Sequence, residues 1–266
     1  MEINLLVAIS TMGGLGLVFA TILAIADRKL HVDENPLIEK VFEALPHINC
    51  GACGNAGCHD FAVNLVAGRN SVDGCPIGGQ ELADVLAELL NVKIVQQASN
   101  VARLLCQGDN QTAYFKNSEY YGPKDCAAQA IVEGGNKLCA FSCLGGGDCV
   151  SVCPVGAIEM NSRGLPDIYE DICTGCGLCI EACPRGVLEL HPKERNFFVF
   201  CKNHDDPLTS RKVCAAACTA CGICVRASDG AIEIIKNLAV ITHENIDSTL
   251  IPIDRCKTHA IHYMGD

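Results

Sequence analysis

From Ile3 to Ala26 the chain runs 24 residues without a formal charge. As a helix this stretch would rise about 36 Å at about 1.5 Å per residue, enough to cross a hydrocarbon core of roughly 30 Å. Leu37, Ile38, Val41, Phe42 and Leu45 then recur on one helical face between Pro36 and Leu45, and Pro46 stops that helix. Phe61 to Ala67 and Glu81 to Leu90 have the same amphipathic spacing. From Lys93 the texture changes to short apolar runs: strands are predicted at Val101–Cys106, Val187–Leu190 and Asn196–Cys201, with a hairpin across Ala157–Ile168. The pattern gives an α+β fold in four parts: a transmembrane helix at 1–27, a small helical domain at 28–92, and two mixed domains at 93–195 and 196–266.

The N-terminal run reads as a retained anchor. A signal peptide would have a basic start and a shorter apolar stretch, although Ala24-Ile25-Ala26 resembles a cleavage site. Only Glu2 precedes the run, whereas Arg28 and Lys29 follow it, so the bulk of the chain is expected on the cytoplasmic side of the cell membrane after a single pass. Gly13, Gly14 and Gly16, with Ser10 and Thr11, would let another membrane helix approach closely.

Composition sharpens this picture at one residue type. Twenty of 266 residues are cysteine, and tryptophan is absent. Their spacings are those of ligands, which argues for a reducing compartment rather than for disulfides. Bound metal would also supply folding free energy that a sparse aromatic core does not. The formal net charge of −11 argues against nucleic acid as a partner.

Cys173-Thr174-Gly175-Cys176-Gly177-Leu178-Cys179-Ile180-Glu181-Ala182-Cys183-Pro184 is a C-x2-C-x2-C-x3-C-P run. Bacterial ferredoxins use this run to hold 4Fe-4S clusters, the fourth cysteine ligating the neighbouring cluster. Zinc would be expected between two separated C-x2-C pairs. Upstream, Cys139, Cys143, Cys149 and Cys153-Pro154 read as the first half of the same two-cluster pattern with stretched gaps, the stretch absorbed by Gly145-Gly146-Gly147. By the crossing rule, Cys139, Cys143, Cys149 and Cys183 hold one cluster, and Cys173, Cys176, Cys179 and Cys153 the other.

Two further sets flank this pair. Cys50, Cys53, Cys58 and Cys75-Pro76 run C-x2-C-x4-C-x16-C and are read as a 4Fe-4S site, with zinc as the competing metal. Cys218, Cys221 and Cys224 repeat the tight turn, but Ser228 stands where a fourth cysteine would fall. Glu244 to Leu250 brings no cysteine, yet Cys256 begins a motif tail. We read this part as a two-cluster ferredoxin that has lost one cluster, its ligands being Cys218, Cys221, Cys224 and Cys256, with Cys214 as rival to Cys256. The two C-terminal parts look duplicated: Leu105-Cys106 matches Phe200-Cys201, and Cys126-Ala127-Ala128 matches Cys214-Ala215-Ala216. Cys106, Cys126, Cys201 and Cys214 remain unassigned, as buried small hydrophobes or a further metal site. About four 4Fe-4S clusters are thus expected.

The order of these modules — membrane helix, C-x2-C-x4-C-x16-C-P, two-cluster ferredoxin — resembles the B subunit of the Rnf electron-transport complex over nearly the whole chain. The C-terminal part resembles the extended form of that protein and departs from it at Ser228. The resemblance implies an electron-transfer subunit of a membrane ion pump that takes electrons from reduced ferredoxin and relays them toward flavin and NAD sites on other subunits. It implies no catalytic residue in this chain, which offers no Gly-x-Gly-x-x-Gly fingerprint after a strand. Two other readings are a component of a membrane system that keeps a redox-sensing transcription regulator reduced, and a zinc-stabilised membrane scaffold.

Overall fold

The computed structural model describes residues 2–30, 35–93, 99–118, 120–132, 134–242, 251 and 253–264. Helix α1 spans Glu2–Leu30, so the helix continues past the uncharged run through Arg28 and Lys29. From Ser10 to Lys29 it is long and apolar enough to cross a membrane, and no part of that stretch is buried against the rest of the protein.

Three helices make the small domain. Helix α2 spans Pro36–Ala44, capped by Asn35, whose side chain accepts the Leu37 N–H. Such a cap satisfies one of the free amides of the first turn. Helices α3 (Cys58–Val66) and α4 (Gly79–Leu90) pack against it through Val41, Leu45, Phe61, Leu65, Leu82 and Leu86. Phe61 and Leu86 are fully buried, each contributing about 1.5–3 kcal/mol of hydrophobic stabilisation. The remainder of this domain is loop that carries cysteines.

The rest of the chain repeats one plan twice. In the first unit, β1 (Asn100–Leu104) precedes α5 (Cys126–Ile131) and the single turn α6 (Asp148–Ser151). The hairpin β2 (Ile158–Met160) and β3 (Pro166–Ile168) follows, then the single turn α7 (Leu178–Glu181) and β4 (Leu188–Pro192). Strand β4 returns antiparallel to β1, with Ala102 opposite Leu190. In the second unit, β5 (Phe197–Val199) is followed by α8 (Pro207–Val213), α9 (Ile223–Ala227) and the hairpin β6 (Ile232–Ile235) and β7 (Leu238–Ile241). A 3-10 turn at Ile253–Arg255 leads to β8 (Ile261–Tyr263), which pairs antiparallel with β5.

Matching hydrogen bonds fix the equivalence. Just after the first strand, Leu105 N–H donates to Val187 O and Phe200 N–H to Ala260 O, both at 2.7 Å. At the hairpin bases, Tyr169 N–H donates to Ala157 O and Thr242 N–H to Ala231 O. The cysteine-free stretch 244–250 lies outside the described residues.

The units are also fastened to each other. Tyr114 N–H donates to Val213 O and Ala215 N–H to Thr112 O. Lys202, after β5, pairs with Glu189 on β4. Buried Phe198 of β5 lies under the Arg103 guanidinium of β1, 5.4 Å from the ring centroid.

Candidate metal centres

The tight turn is built the same way three times. Gly147, Gly177 and Gly222 adopt φ of 82°, 81° and 70° and each caps a short helix, α6, α7 or α9. Only glycine enters that region freely, and the reversal leaves the preceding residues curled around a common point. In the middle copy Cys176 and Cys179 have Cys153 and Cys173 as electrostatic neighbours. The structure therefore brings together the four cysteines that the crossing rule grouped. Ala102 N–H donates to Cys173 Sγ at 3.4 Å and Ala157 N–H to Cys153 Sγ at 3.2 Å. Buried Arg103, held by two hydrogen bonds to the Glu170 carboxylate, adds a positive charge beside Cys173.

The first copy differs from the sequence reading. Its capping glycine is Gly147, so Cys143, Gly146 and Cys149 occupy the positions of Cys173, Cys176 and Cys179. The gaps are not stretched; the run starts at Cys143 and has glycine where its second cysteine would be. A Cβ on Gly146 would stand 2.5 Å from the nitrogen of Cys126. Cys126, the first residue of α5, instead lines a cavity of about 370 Å³ with Cys143, Cys149 and Cys183. The Asp148 carboxylate holds it there, accepting the N–H groups of Cys126 at 2.7 Å and Ala127 at 3.0 Å. Cys139 is not in this cavity. The signal was legible: Cys143, Cys149, Cys153 and Pro154 already keep ferredoxin spacing when counted from Cys143.

The outer sets match their spacing. Cys50, Cys53, Cys58 and Cys75 wall a cavity of about 340 Å³ in the small domain. Asn49, in its wall, accepts the Cys58 N–H at 2.8 Å. Cys218, Cys221, Cys224 and Cys256 wall a larger cavity of about 1020 Å³, and Cys214 is not among its walls. Cys221 is the one exposed cysteine of the twenty. Ser228 is fully buried, and its hydroxyl accepts the Ile232 N–H at 3.1 Å. Cys153 and Cys256 accept the corresponding amides of Ala157 and Ala260, so the serine makes the bond that cysteine makes at those two positions.

A fourth cavity, of about 290 Å³, is walled by Cys106, Cys139, Cys201 and Cys214. Cys106 and Cys201 each lie two residues beyond a first strand, and Cys139 and Cys214 each lie four residues before a tight turn. The structural counterpart of Cys214 is therefore Cys139, not the Cys126 of the sequence alignment.

All twenty cysteines thus fall into five sets of four. Burial pushes the thiols of Cys143, Cys149, Cys179 and Cys201 up to about 12, and Cys139 and Cys224 to about 11, neighbouring cysteines adding to the effect. Such groups hold their protons until a cation displaces them. Among the described residues no three His, Cys, Asp or Glu side chains converge closely enough for a single metal ion. Sets of four soft thiolate donors suit a polynuclear iron–sulfide group.

Family models agree with this donor chemistry. One described as "Putative Fe-S cluster" matches residues 45–77, and one described as 4Fe-4S dicluster domain matches residues 142–187. The chain is 39% identical over 258 residues to the B subunit of the Na(+)-translocating ferredoxin:NAD(+) oxidoreductase complex of Acetobacterium woodii, covering 97% of this chain and 77% of that protein. It is 34% identical over 258 residues to the B subunit of the ion-translocating oxidoreductase complex of Methanosarcina acetivorans, 96% of each chain. A third relative, the B subunit of the proton-translocating ferredoxin:NAD(+) oxidoreductase complex of Clostridium ljungdahlii, is 39% identical over 229 residues, 85% of this chain and 80% of that protein. With cysteine sets, family models and full-length likeness in agreement, this chain belongs to the B subunits of the Rnf-type ion-translocating oxidoreductase complexes.

Proposed function

We propose that this chain is the iron–sulfur electron-transfer subunit of a membrane ion-translocating oxidoreductase. In our reading it takes electrons from a reduced ferredoxin and relays them toward flavin and NAD sites on partner subunits. The observation that carries it is the gathering of cysteines in fours, with backbone amides aimed at several of their sulfurs. The ligand sets we propose are Cys50, Cys53, Cys58 and Cys75; Cys126, Cys143, Cys149 and Cys183; Cys153, Cys173, Cys176 and Cys179; and Cys218, Cys221, Cys224 and Cys256. A 4Fe-4S cluster bound in such a set takes up and releases one electron at a time.

The chain's own residues tune and gate that exchange. Amide donors at Cys153, Cys173 and Cys256 stabilise added negative charge on sulfur, which raises the potential at those sites. Arg103 acts in the same direction beside Cys173. Apolar packing from Leu104, Val187 and Leu188 keeps water from the Cys126 set. The C-terminal set is the proposed entry point. Its cavity is the widest, Cys221 is exposed, and Arg211 and Lys257 stand at its walls, suited to an acidic donor. Helix α1 is the proposed single-pass anchor, with the cysteine domains on the cytoplasmic side.

The test is electron uptake by the anaerobically reconstituted chain from a dithionite-reduced low-potential ferredoxin, followed by bleaching of the visible absorption. Fast bleaching that Arg211→Glu and Lys257→Glu together slow several-fold, most strongly at low salt, is expected. A colourless protein containing only zinc would refute the electron-transfer reading. Uptake indifferent to both charge reversals would refute the entry point.

A further inference from the structure

We propose that Cys106, Cys139, Cys201 and Cys214 bind a fifth 4Fe-4S cluster, seated between the two units and completed only when both are present. Each unit contributes one cysteine after its first strand and one before its tight turn. All four are buried, at 8%, 5%, 8% and 7% exposure.

Their backbone surroundings follow the same twofold plan. Gly108 N–H donates to Cys106 Sγ at 3.4 Å and Asn203 N–H to Cys201 Sγ at 3.4 Å. The backbone amides of Phe141 and Ala216 serve Cys139 and Cys214 in the same way, again two residues on. Cys106 and Cys201 each accept a second amide, from Cys143 at 3.4 Å and from Cys218 at 3.3 Å. Six donors on four sulfurs is an arrangement for thiolates, because a neutral buried thiol needs no such supply.

Charge and size agree. Lys137 is 5% exposed, and its Nζ donates to Gly108 O at 2.5 Å and Cys143 O at 2.8 Å, which sets a buried ammonium beside the cavity. Opposing it are Asp109, engaged by Arg163, and Asp205. The cavity, about 290 Å³, is close in volume to the 340 and 370 Å³ cavities of two proposed cluster sites. Cys143 and Cys218, ligands in the two flanking sets, each send an amide to this one. The fifth centre therefore stands between the first unit's centres and the open C-terminal one.

Native mass spectrometry of the full chain, reconstituted anaerobically in detergent, reads the answer without a variant. Five clusters, about twenty irons with matching sulfide, are expected. Four clusters plus one zinc would overturn the assignment, as would four clusters and no further metal. Paired substitutions locate the fifth group by iron, sulfide and zinc counting. Cys201→Ser and Cys201→Ser/Cys214→Ser should both lose about four irons, whereas Cys201→Ser/Cys126→Ser should lose about eight. Equal losses in the two double variants would refute the grouping, about four irons each placing Cys126 with Cys201 and about eight each separating Cys214 from Cys201. The outcome is separate from the relay reading, which survives a count of four and falls only if no iron–sulfide is found.

Discussion

The nitrogen of Cys126 lies 2.5 Å from the point where a Cβ on Gly146 would stand. Glycine at 146 and cysteine at 126 are therefore one device: the tight turn gives up a side chain so that α5 can deliver a sulfur from 20 residues upstream. Gly146→Ala should push α5 outward, destabilise the apo fold by about 1–3 kcal/mol, and cost about four irons on reconstitution. Denaturant titration and iron counting check it. An alanine variant with unchanged iron would mean that Cys126 is not a ligand.

Ser228 offers a cleaner comparison. Its hydroxyl accepts the Ile232 N–H and contacts Val225 O at 3.3 Å, with no exposed surface. Ser228→Ala leaves that amide without a partner and should cost about 1–3 kcal/mol. Ser228→Cys should fold normally and bind no additional iron, since no other cysteine is left to complete a set around it. Urea midpoints and metal content of the two variants decide both points.

The thiols predict an asymmetry in alkaline solution. Burial raises six of them from an ordinary 9.0 to about 11 or 12. A folded-state value above the unfolded one gives stability that is complete below about pH 9 and is lost as pH rises toward 12. Metal-free protein kept reduced should therefore have a lower denaturant midpoint at pH 10 than at pH 7. The reconstituted protein, its thiols already deprotonated by metal, should change far less.

Helix α1 makes no buried contact from Ser10 to Lys29. Deleting residues 1–30 should release a soluble brown protein with its full iron content. Sedimentation after membrane fractionation reads this directly, and persistent pelleting without detergent would remove α1 as the anchor.

Much of this was readable in the chain because ligand spacing is a local property. The three-cysteine turns at Cys50–Cys58, Cys173–Cys179 and Cys218–Cys224 are each shorter than a dozen residues, so their convergence follows from local geometry. What was not legible came from distance. Cys126 is brought beside Cys143 and Cys149 by α5 and the Asp148 carboxylate, and nothing in its flanking sequence marks that approach. Cys139 precedes Cys143 closely in sequence yet lines the cavity of Cys106, Cys201 and Cys214, which spacing alone does not show. The grouping of Cys106 with Cys201 depends on strands nearly a hundred residues apart closing in the same manner, which only the paired units reveal.

Each unit begins and finishes on adjacent antiparallel strands, β1 with β4 and β5 with β8. Chain entry and exit therefore sit side by side, so a whole unit can be appended or deleted by gene rearrangement without threading through its neighbour. Such growth adds more than one carrier at a time. A newcomer brings its own centre and also the two missing corners of a pocket that its predecessor could only half enclose, so lengthening the conductor and soldering the joint are a single evolutionary event.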